Sequence, residues 1–233
     1  MKKIAVLALS LLSVSAAKAQ DAGGFRIGVK AGATYSTVNG RDSEKLFNNG
    51  QDNKLGFNAG LAFTIPLTSD GFASFAPEIL LNRKGYEAKS QTTTGLPAGV
   101  SKVENEYKRT LTYIEVPLLA KINAGGLFFE LGPQVGYMAR SSQDQQTITK
   151  FTNGDKDKVN DNTSDGKEDL ASFDIGGIAG VGYQTESGLS IGVRYNQGFK
   201  TLFDTKNVNG KDEDRAFNTA YMLQIGYLLP LGK

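Results

Sequence analysis

Phe25-Arg-Ile-Gly-Val-Lys-Ala-Gly-Ala-Thr-Tyr35 alternates with a period of two. Phe25, Ile27, Val29, Ala31, Ala33 and Tyr35 form one parity; Arg26, Gly28, Lys30, Gly32 and Thr34 form the other. An extended strand sends successive side chains to opposite faces. This stretch is therefore a strand with one apolar face and one face of charge and glycine.

The same split recurs along the chain. Leu55, Phe57, Ala59, Leu61, Phe63 and Ile65 oppose Asn58, Gly60 and Thr64. Leu127, Phe129, Leu131, Val135 and Tyr137 oppose Glu130, Gly132, Gln134, Gly136 and Arg140. Phe173, Ile175, Ala179, Val181 and Tyr183 oppose Asp174, Gly176, Gly180 and Gly182, and Leu189, Ile191, Val193 and Tyr195 oppose Gly192, Arg194 and Asn196. Tyr221, Leu223, Ile225, Tyr227 and Leu229 oppose Gln224 and Gly226. Two segments, 72–86 and 110–122, alternate less cleanly, with Glu78, Asn82 and Lys84 in one and Glu115 and Lys121 in the other. The pattern predicts eight strands of roughly 11–16 residues, well beyond the five or six of an ordinary soluble strand.

Short and long connections alternate between these strands. Thr68-Ser-Asp-Gly71, Asn123-Ala-Gly-Gly126 and Thr185-Glu-Ser-Gly188 carry turn chemistry. The stretches 39–53, 87–108, 141–170 and 204–216 read as long polar loops. Long alternating strands joined in this way predict an all-β fold: an eight-stranded antiparallel up-and-down transmembrane β-barrel of the outer-membrane type, with a polar, largely plugged interior. Tyr35, Tyr137, Tyr183, Tyr221 and Tyr227 lie on the apolar parity toward strand ends, where an aromatic girdle belongs. Alternation by itself also fits a soluble β-sandwich or a lipocalin-like barrel, so a soluble periplasmic ligand-binding barrel stays open.

The 233 residues are 39% hydrophobic, 21% charged and 9% aromatic, with a mean hydropathy of -0.28. Without Cys there is no disulfide framework or thiolate metal site; without His there is no Ser-His-Asp triad and no imidazole base. No catalytic residue is nominated and no cofactor is implied. Met1-Lys-Lys3, the apolar run 4–14 and Ala17-Lys-Ala19 read as a signal peptide over 1–19, leaving 20–233 as one barrel domain with its termini in the periplasm. Loss of Lys2, Lys3 and Lys18 takes the formal net charge from +2 to -1, so no nucleic-acid partner is expected.

Eight strands enclose a lumen that side chains fill. The interior parity brings Arg26, Lys30, Lys84, Lys121, Arg140, Arg194 and Lys200 together with Glu78, Glu115, Glu130 and Asp174. Unpaired charges there are costly, so a bridged network with Asn58, Asn82, Gln134, Asn196 and Gln224 is expected. Glu78 and Glu115, at similar depth, are expected to reach Arg26, Arg194 or Lys121. Interior glycines make room for these side chains. In the stretch 141–170, seven acids face four bases, and Asp161-x-Thr163-x-Asp165-Gly166 echoes the start of a calcium loop. Ser172 stands where the bidentate Glu belongs, so no metal is assigned beyond a weak site at Asp161 and Asp165. Glu168 and Asp169 add to that stretch, and Asn207, Asn209, Asp212 and Asp214 to the last loop.

Four segments resemble a known family. Phe25-Arg-Ile-Gly-Val-Lys-Ala-Gly, Phe75-Ala-Pro-Glu-Ile-Leu-Leu-Asn-Arg-Lys-Gly85, Tyr113-Ile-Glu-Val-Pro-Leu-Leu-Ala-Lys121 and Leu131-Gly-Pro-Gln-Val-Gly-Tyr137 are similar, in this order, to motifs of the PorT-like "outer membrane protein beta-barrel" family of Bacteroidota. The resemblance implies an eight-stranded, porin-like outer-membrane barrel, and the named family member is a component of a protein-secretion pathway. Two outer-membrane readings follow. One is a monomeric structural or surface-interaction protein, surrounded by outer-membrane lipid and lipopolysaccharide, whose loops meet a surface partner. The other is a narrow porin or a secretion accessory that meets a secretion-pathway protein.

Overall fold

The computed structural model describes residues 24–41, 51–167, 170–204 and 215–230. The expected signal peptide (1–19) and Glu168, Asp169, Asn207, Asn209, Asp212 and Asp214 lie outside the described residues. Nine strands follow in chain order: β1 (Arg26–Asn39), β2 (Gln51–Pro66), β3 (Ala73–Thr92), β4 (Val100–Ala124), β5 (Leu127–Phe151), β6 (Lys158–Asp165), β7 (Phe173–Gln184), β8 (Leu189–Gly198) and β9 (Phe217–Pro230).

Eight of them close a ring. Each strand pairs antiparallel with its neighbour in the order β1-β2-β3-β4-β5-β7-β8-β9, and β9 returns to β1 from Arg26↔Pro230 to Asn39↔Phe217. Closure leaves no strand edge in the wall, which hydrocarbon requires of any β structure that crosses it. One end of the ring carries the tight turns. At Gly125-Gly126 both residues take positive φ (59° and 91°), the backbone of a two-residue primed turn whose twist matches the flanking strands.

The alternation places its two parities as the physics of a membrane wall demands. Val29, Leu61, Ile79, Val116, Leu131, Ile175, Val193 and Ile225 are exposed on the outside. Their strand neighbours of opposite parity, such as Asn58, Glu78, Glu115, Glu130 and Gln224, are buried inside. From Leu127 to Tyr137 the outward parity of β5 covers roughly 33 Å of strand at about 3.3 Å per residue. A strand tilt near 40° turns this into about 25 Å of height, the apolar band of an outer-membrane barrel.

Aromatic side chains border that band. Tyr35 pairs across the ladder with Tyr221, and Tyr221 with Tyr195, whose rings lie 5.2 Å apart. Tyr137 and Phe173 (5.4 Å) stand at the same, long-loop border. Tyr183 and Tyr227 are exposed at the short-turn border, next to Leu127 and Leu189 in the ladder.

Two expected loops are strands instead. β3 runs on to Thr92 and β4 starts at Val100, so most of 87–108 is a hairpin. β5 continues to Phe151 and β6 pairs back onto it, so 141–170 is largely a second hairpin. β3, β4, β5 and β6 thus rise beyond the apolar band as a four-stranded external sheet. The physical reason is that no apolar face is needed there. Val103, Tyr107, Thr147, Ile148 and Thr149 are good strand formers, while cross-strand pairs of polar groups carry both faces in water. Arg109 ties the root of this sheet together, donating to Ser141 Oγ (2.9 Å), Gln143 Oε1 (2.6 Å) and the Gly166 carbonyl (3.0 Å).

Burying a charge against lipid distinguishes wall from sheet. Ile225→Arg, on the outward face of β9, should lower unfolding stability in lipid vesicles by about 2–4 kcal/mol. Val159→Arg, on the external sheet, should change it by less than about 0.5 kcal/mol in the same urea titration.

Candidate functional site

The lumen gathers a dense set of buried charged groups, and the wall dictates its content. Inward positions of eight strands converge on a narrow axis, so side chains from opposite walls meet. Arg194 on β8 donates to Glu78 on β3 through both terminal nitrogens, at 2.6 and 2.7 Å, and its Nε donates to Glu130 on β5. Lys30 on β1 completes the cluster with an Nζ donor 2.5 Å from Glu78 Oε1 and 4.0 Å from Glu130 Oε2. Gly180 stands opposite: a Cβ there would lie 2.8 Å from Glu130 Oε1 and 2.9 Å from Arg194 Cγ. A larger residue at that point of β7 would displace the pair.

An amide layer lies on the long-loop side. Gln224 donates to Asn58 (2.5 Å), Asn58 to Thr34 (2.9 Å), and Thr34 to Asn82 (2.9 Å). Asn82 then donates to Glu115 Oε2 at 2.8 Å, while Asn196 donates to Gln134 at 2.7 Å. Above it, Lys84 sits between Glu115 (2.7 Å) and Asp174 (3.2 Å), over the face of Tyr113 at 4.7 Å. Asn218 donates to Asp174 and to the Tyr113 hydroxyl.

Charge balances along this stack. Lys30, Lys84, Lys121 and Arg194 meet Glu78, Glu115, Glu130 and Asp174. With Lys121 counted, the cations Lys30, Lys121 and Arg194 outnumber Glu78 and Glu130 by one, while the acids Glu115 and Asp174 outnumber Lys84 by one. Each is an imperfect pairing in a medium of low polarity, and their opposite signs offset each other along the axis.

The long-loop end is closed by apolar side chains. Val38, Tyr86, Leu111, Tyr113, Met138, Leu170, Leu202 and Ala216 form one buried cluster, with Tyr107 and Phe203 packed against it. Leu170 and Leu202 come from connections, joined by a bridge between Leu170 and Phe203 and by an Ala171 N–H to Leu202 carbonyl bond of 2.8 Å. Fully burying a leucine is worth roughly 1.5–3 kcal/mol, so the cap is a stable closure. The short-turn end stays open as a cavity of about 340 Å³ lined by Arg26, Ser74, Lys121, Asn123, Gln184 and Glu186, among others.

Several expected positions fall elsewhere. Arg140 points outward: the β4–β5 register slips between Tyr113↔Met138 and Thr112↔Arg140, leaving Ala139 as an extra residue. That bulge reverses the parity, so Ser141 is buried and Arg140 pairs with Asp165 at 2.7 Å on the outer surface. Lys200 is exposed because β8 ends at Gly198 and the chain turns, with Phe199 N–H bonded to the Ile175 carbonyl. Arg26 is half-buried at the open mouth with no ion pair among the described residues. Glu115 takes Lys84 rather than Arg26, Arg194 or Lys121, and Lys121 donates to Gln184 (2.6 Å) beside the Phe128 ring.

Asp161 and Asp165 lie four residues apart on the extended strand β6, about 13 Å at strand spacing. Asp161 accepts from Gln146 (2.8 Å), and the Arg140 guanidinium holds the Asp165 carboxyl below its usual range. The calcium-loop echo is thus a strand, and its two carboxylates do not converge.

An apolar belt with aromatic borders, a closed ring and a lumen of paired charges define a transmembrane β-barrel of the outer membrane. Residues 18–204 match the family model of the outer membrane protein beta-barrel domain, and the chain belongs to that family. The soluble periplasmic barrel that alternation left open is set aside by this membership and by the outward apolar belt. No curated protein matches the chain. Among solved structures it is similar to Ail, the attachment invasion locus protein of Yersinia pestis, at 13% identity and a TM-score of 0.40, covering 89% of this chain and 100% of that one. Neisserial surface protein A is similar at 11% identity and a TM-score of 0.40 (88% and 99% covered). OprG from Pseudomonas aeruginosa is similar at 13% identity and a TM-score of 0.27 (91% and 98% covered).

Removing one member of the lumen network should be more harmful than removing an exposed charge. Glu78→Gln should lower unfolding stability by about 3 kcal/mol, because Arg194 and Lys30 then share too little negative charge. Arg140→Gln should stay within about 0.5 kcal/mol. Urea midpoints of the refolded variants in lipid vesicles measure both.

Proposed function

We propose that this chain is a non-enzymatic, monomeric outer-membrane barrel that acts through its long-loop end as a structural or surface-interaction protein. In this reading the segment 1–19 directs export, the short turns and both termini face the periplasm, and the external sheet stands among the lipopolysaccharide headgroups. The observation that carries it is the filled lumen. The Arg194-Glu78-Glu130-Lys30 cluster and the amide layer occupy the axis, and the apolar cap closes the long-loop end. An ion crossing this path would break several charge-assisted bonds at once. Function is thereby directed to the surface outside the membrane, where the chain invests the extra length of β3, β4 and β5.

A second reading has one observation in its favour. The four ordered motifs resemble PorT-like members from Bacteroidota, and a secretion accessory needs no conducting lumen. The open cavity at the short-turn end, with Arg26 and Lys121 in its lining, would then meet a secretion-pathway protein. The narrow-porin version of this reading conflicts with the cap.

Single-channel recording in planar bilayers separates these readings. The full chain should give no stable open level. Stable, long-lived openings in the unmodified protein would overturn the plugged barrel and return the porin. If no openings occur, loss of secretion in a strain carrying Arg26→Glu with Lys121→Glu would favour the accessory role.

A further inference from the structure

Lys121 is a buried lysine with no counter-ion among the described residues. It stands opposite Glu130 in the β4–β5 ladder, yet that carboxylate is taken by Arg194 and Lys30. Its Nζ donates to Gln184 Oε1 at 2.6 Å and lies 4.2 Å from the centre of the Phe128 ring. An ammonium has three N–H donors, so these contacts leave donor capacity at the wall of the open short-turn cavity. Burying a charge without a carboxylate beside it is costly, and an anion arriving from outside the chain would offset that cost.

Two more donors line the same cavity. Ser74 on β3 faces Lys121 directly in the ladder, which sets their Cβ atoms about 5 Å apart on the inner face. Its side chain is buried, and its hydroxyl makes no hydrogen bond to a described residue. Arg26 on β1 is half-buried and forms no ion pair among the described residues. Thr64, Asn123 and Gln184 continue the lining with hydroxyl and amide groups. Two acids, Asp70 and Glu186, stand on the turns at the rim. Both are exposed, where water and salt screen them. Asp70 is also engaged by its own turn, accepting the Phe72 N–H at 3.0 Å.

We infer that this open mouth binds a small phosphate monoester with a hydroxyl-rich body, of the sugar-phosphate class. Such a group carries nearly two negative charges and three strong acceptor oxygens. Lys121, Arg26 and Ser74 supply an ammonium, a guanidinium and a hydroxyl to meet them, and the planar guanidinium can hold two oxygens at once. A carboxylate offers only two oxygens to the same three donor groups. The cavity of about 340 Å³ far exceeds a bare phosphate and falls within the range of small-molecule pockets. Its hydroxyl and amide lining suits the hydroxyls of a sugar. The lining comes from inward positions of β1, β2, β3 and β4, so the ligand arrives from water at the end of the barrel rather than from the surrounding lipid. That this water is the periplasm rests on the proposed orientation; binding itself does not.

Isothermal titration calorimetry on the refolded full chain in maltoside micelles, where both ends meet buffer, tests the site independently of orientation. Glucose 6-phosphate should bind at one site per chain. Inorganic phosphate should bind at least about tenfold more weakly, and glucose should give no saturable heat. Arg26→Gln and Lys121→Met should each weaken glucose 6-phosphate by about tenfold or more, and Ser74→Ala by about threefold. Arg140→Gln, on the outer surface, should leave the affinity unchanged.

Heat-modifiable gel migration confirms folding of each variant, and Arg26→Gln at the half-buried mouth keeps the test open if Lys121→Met does not fold. Absence of saturable binding by the unmodified protein overturns the proposal. So does unchanged affinity in folded Arg26→Gln and Ser74→Ala, or equal affinity for inorganic phosphate and glucose 6-phosphate. Tighter binding of an oligoglutamate peptide overturns it as well, and favours a protein partner at this end.

Discussion

Inside hydrocarbon a peptide group without a hydrogen-bond partner costs several kcal/mol, and this constraint governs the rest of the structure. The ladder between β1 and β9 meets it by joining the first strand to the last over fourteen residue pairs. Once the ring closes, each strand must offer an apolar face to lipid and something else to the axis. The alternation starting at Phe25 is the chemical record of that division. The aromatic borders at Tyr35, Tyr221 and Tyr195 on one side, and at Tyr183 and Tyr227 on the other, mark where the lipid stops.

Closure creates a second problem, which is the content of the axis. Eight strands leave too little space for a water column and too much for apolar residues alone to fill evenly. Long charged side chains reach across the gap, and glycines such as Gly180 and Gly136 recess the wall where they cross. Arg194 is central because its planar guanidinium meets Glu78 with two parallel bonds and Glu130 with a third, a geometry that a lysine cannot supply. The cap built on Leu170 and Leu202 then separates this network from the long-loop side. Specificity of the fold and the filled axis have the same origin.

Much of this was legible in the residues. The wall, its two faces, the inward Glu78, Glu115, Glu130, Asp174, Lys84 and Arg194, and the outward tyrosines all follow from period two. What alternation hides is any local break in it. The extra residue at Ala139 turns Arg140 outward, and no single-residue signal announces that bulge. Nor does parity show which acid meets which base, as Lys84 between Glu115 and Asp174 demonstrates. The external sheet escaped for a different reason: strands in water on both faces carry no apolar stripe, so 100–108 and 141–151 look like loops. Their β-branched and aromatic residues, Val103, Tyr107, Thr147, Ile148 and Thr149, were the available sign. The apolar cap escaped because Leu170 and Leu202 lie in connections, where an isolated leucine has no periodicity to place it.

The lumen is shut around Arg194, whose side chain is buried between Glu78 and Glu130. Exchange of the Arg194 Nε proton with water, followed by nitrogen NMR on the lipid-embedded protein, tests it most directly. Exchange orders of magnitude slower than that of the exposed Arg140 is the predicted result. Equal rates for the two arginines would contradict the account, because water would then reach the middle of the barrel freely.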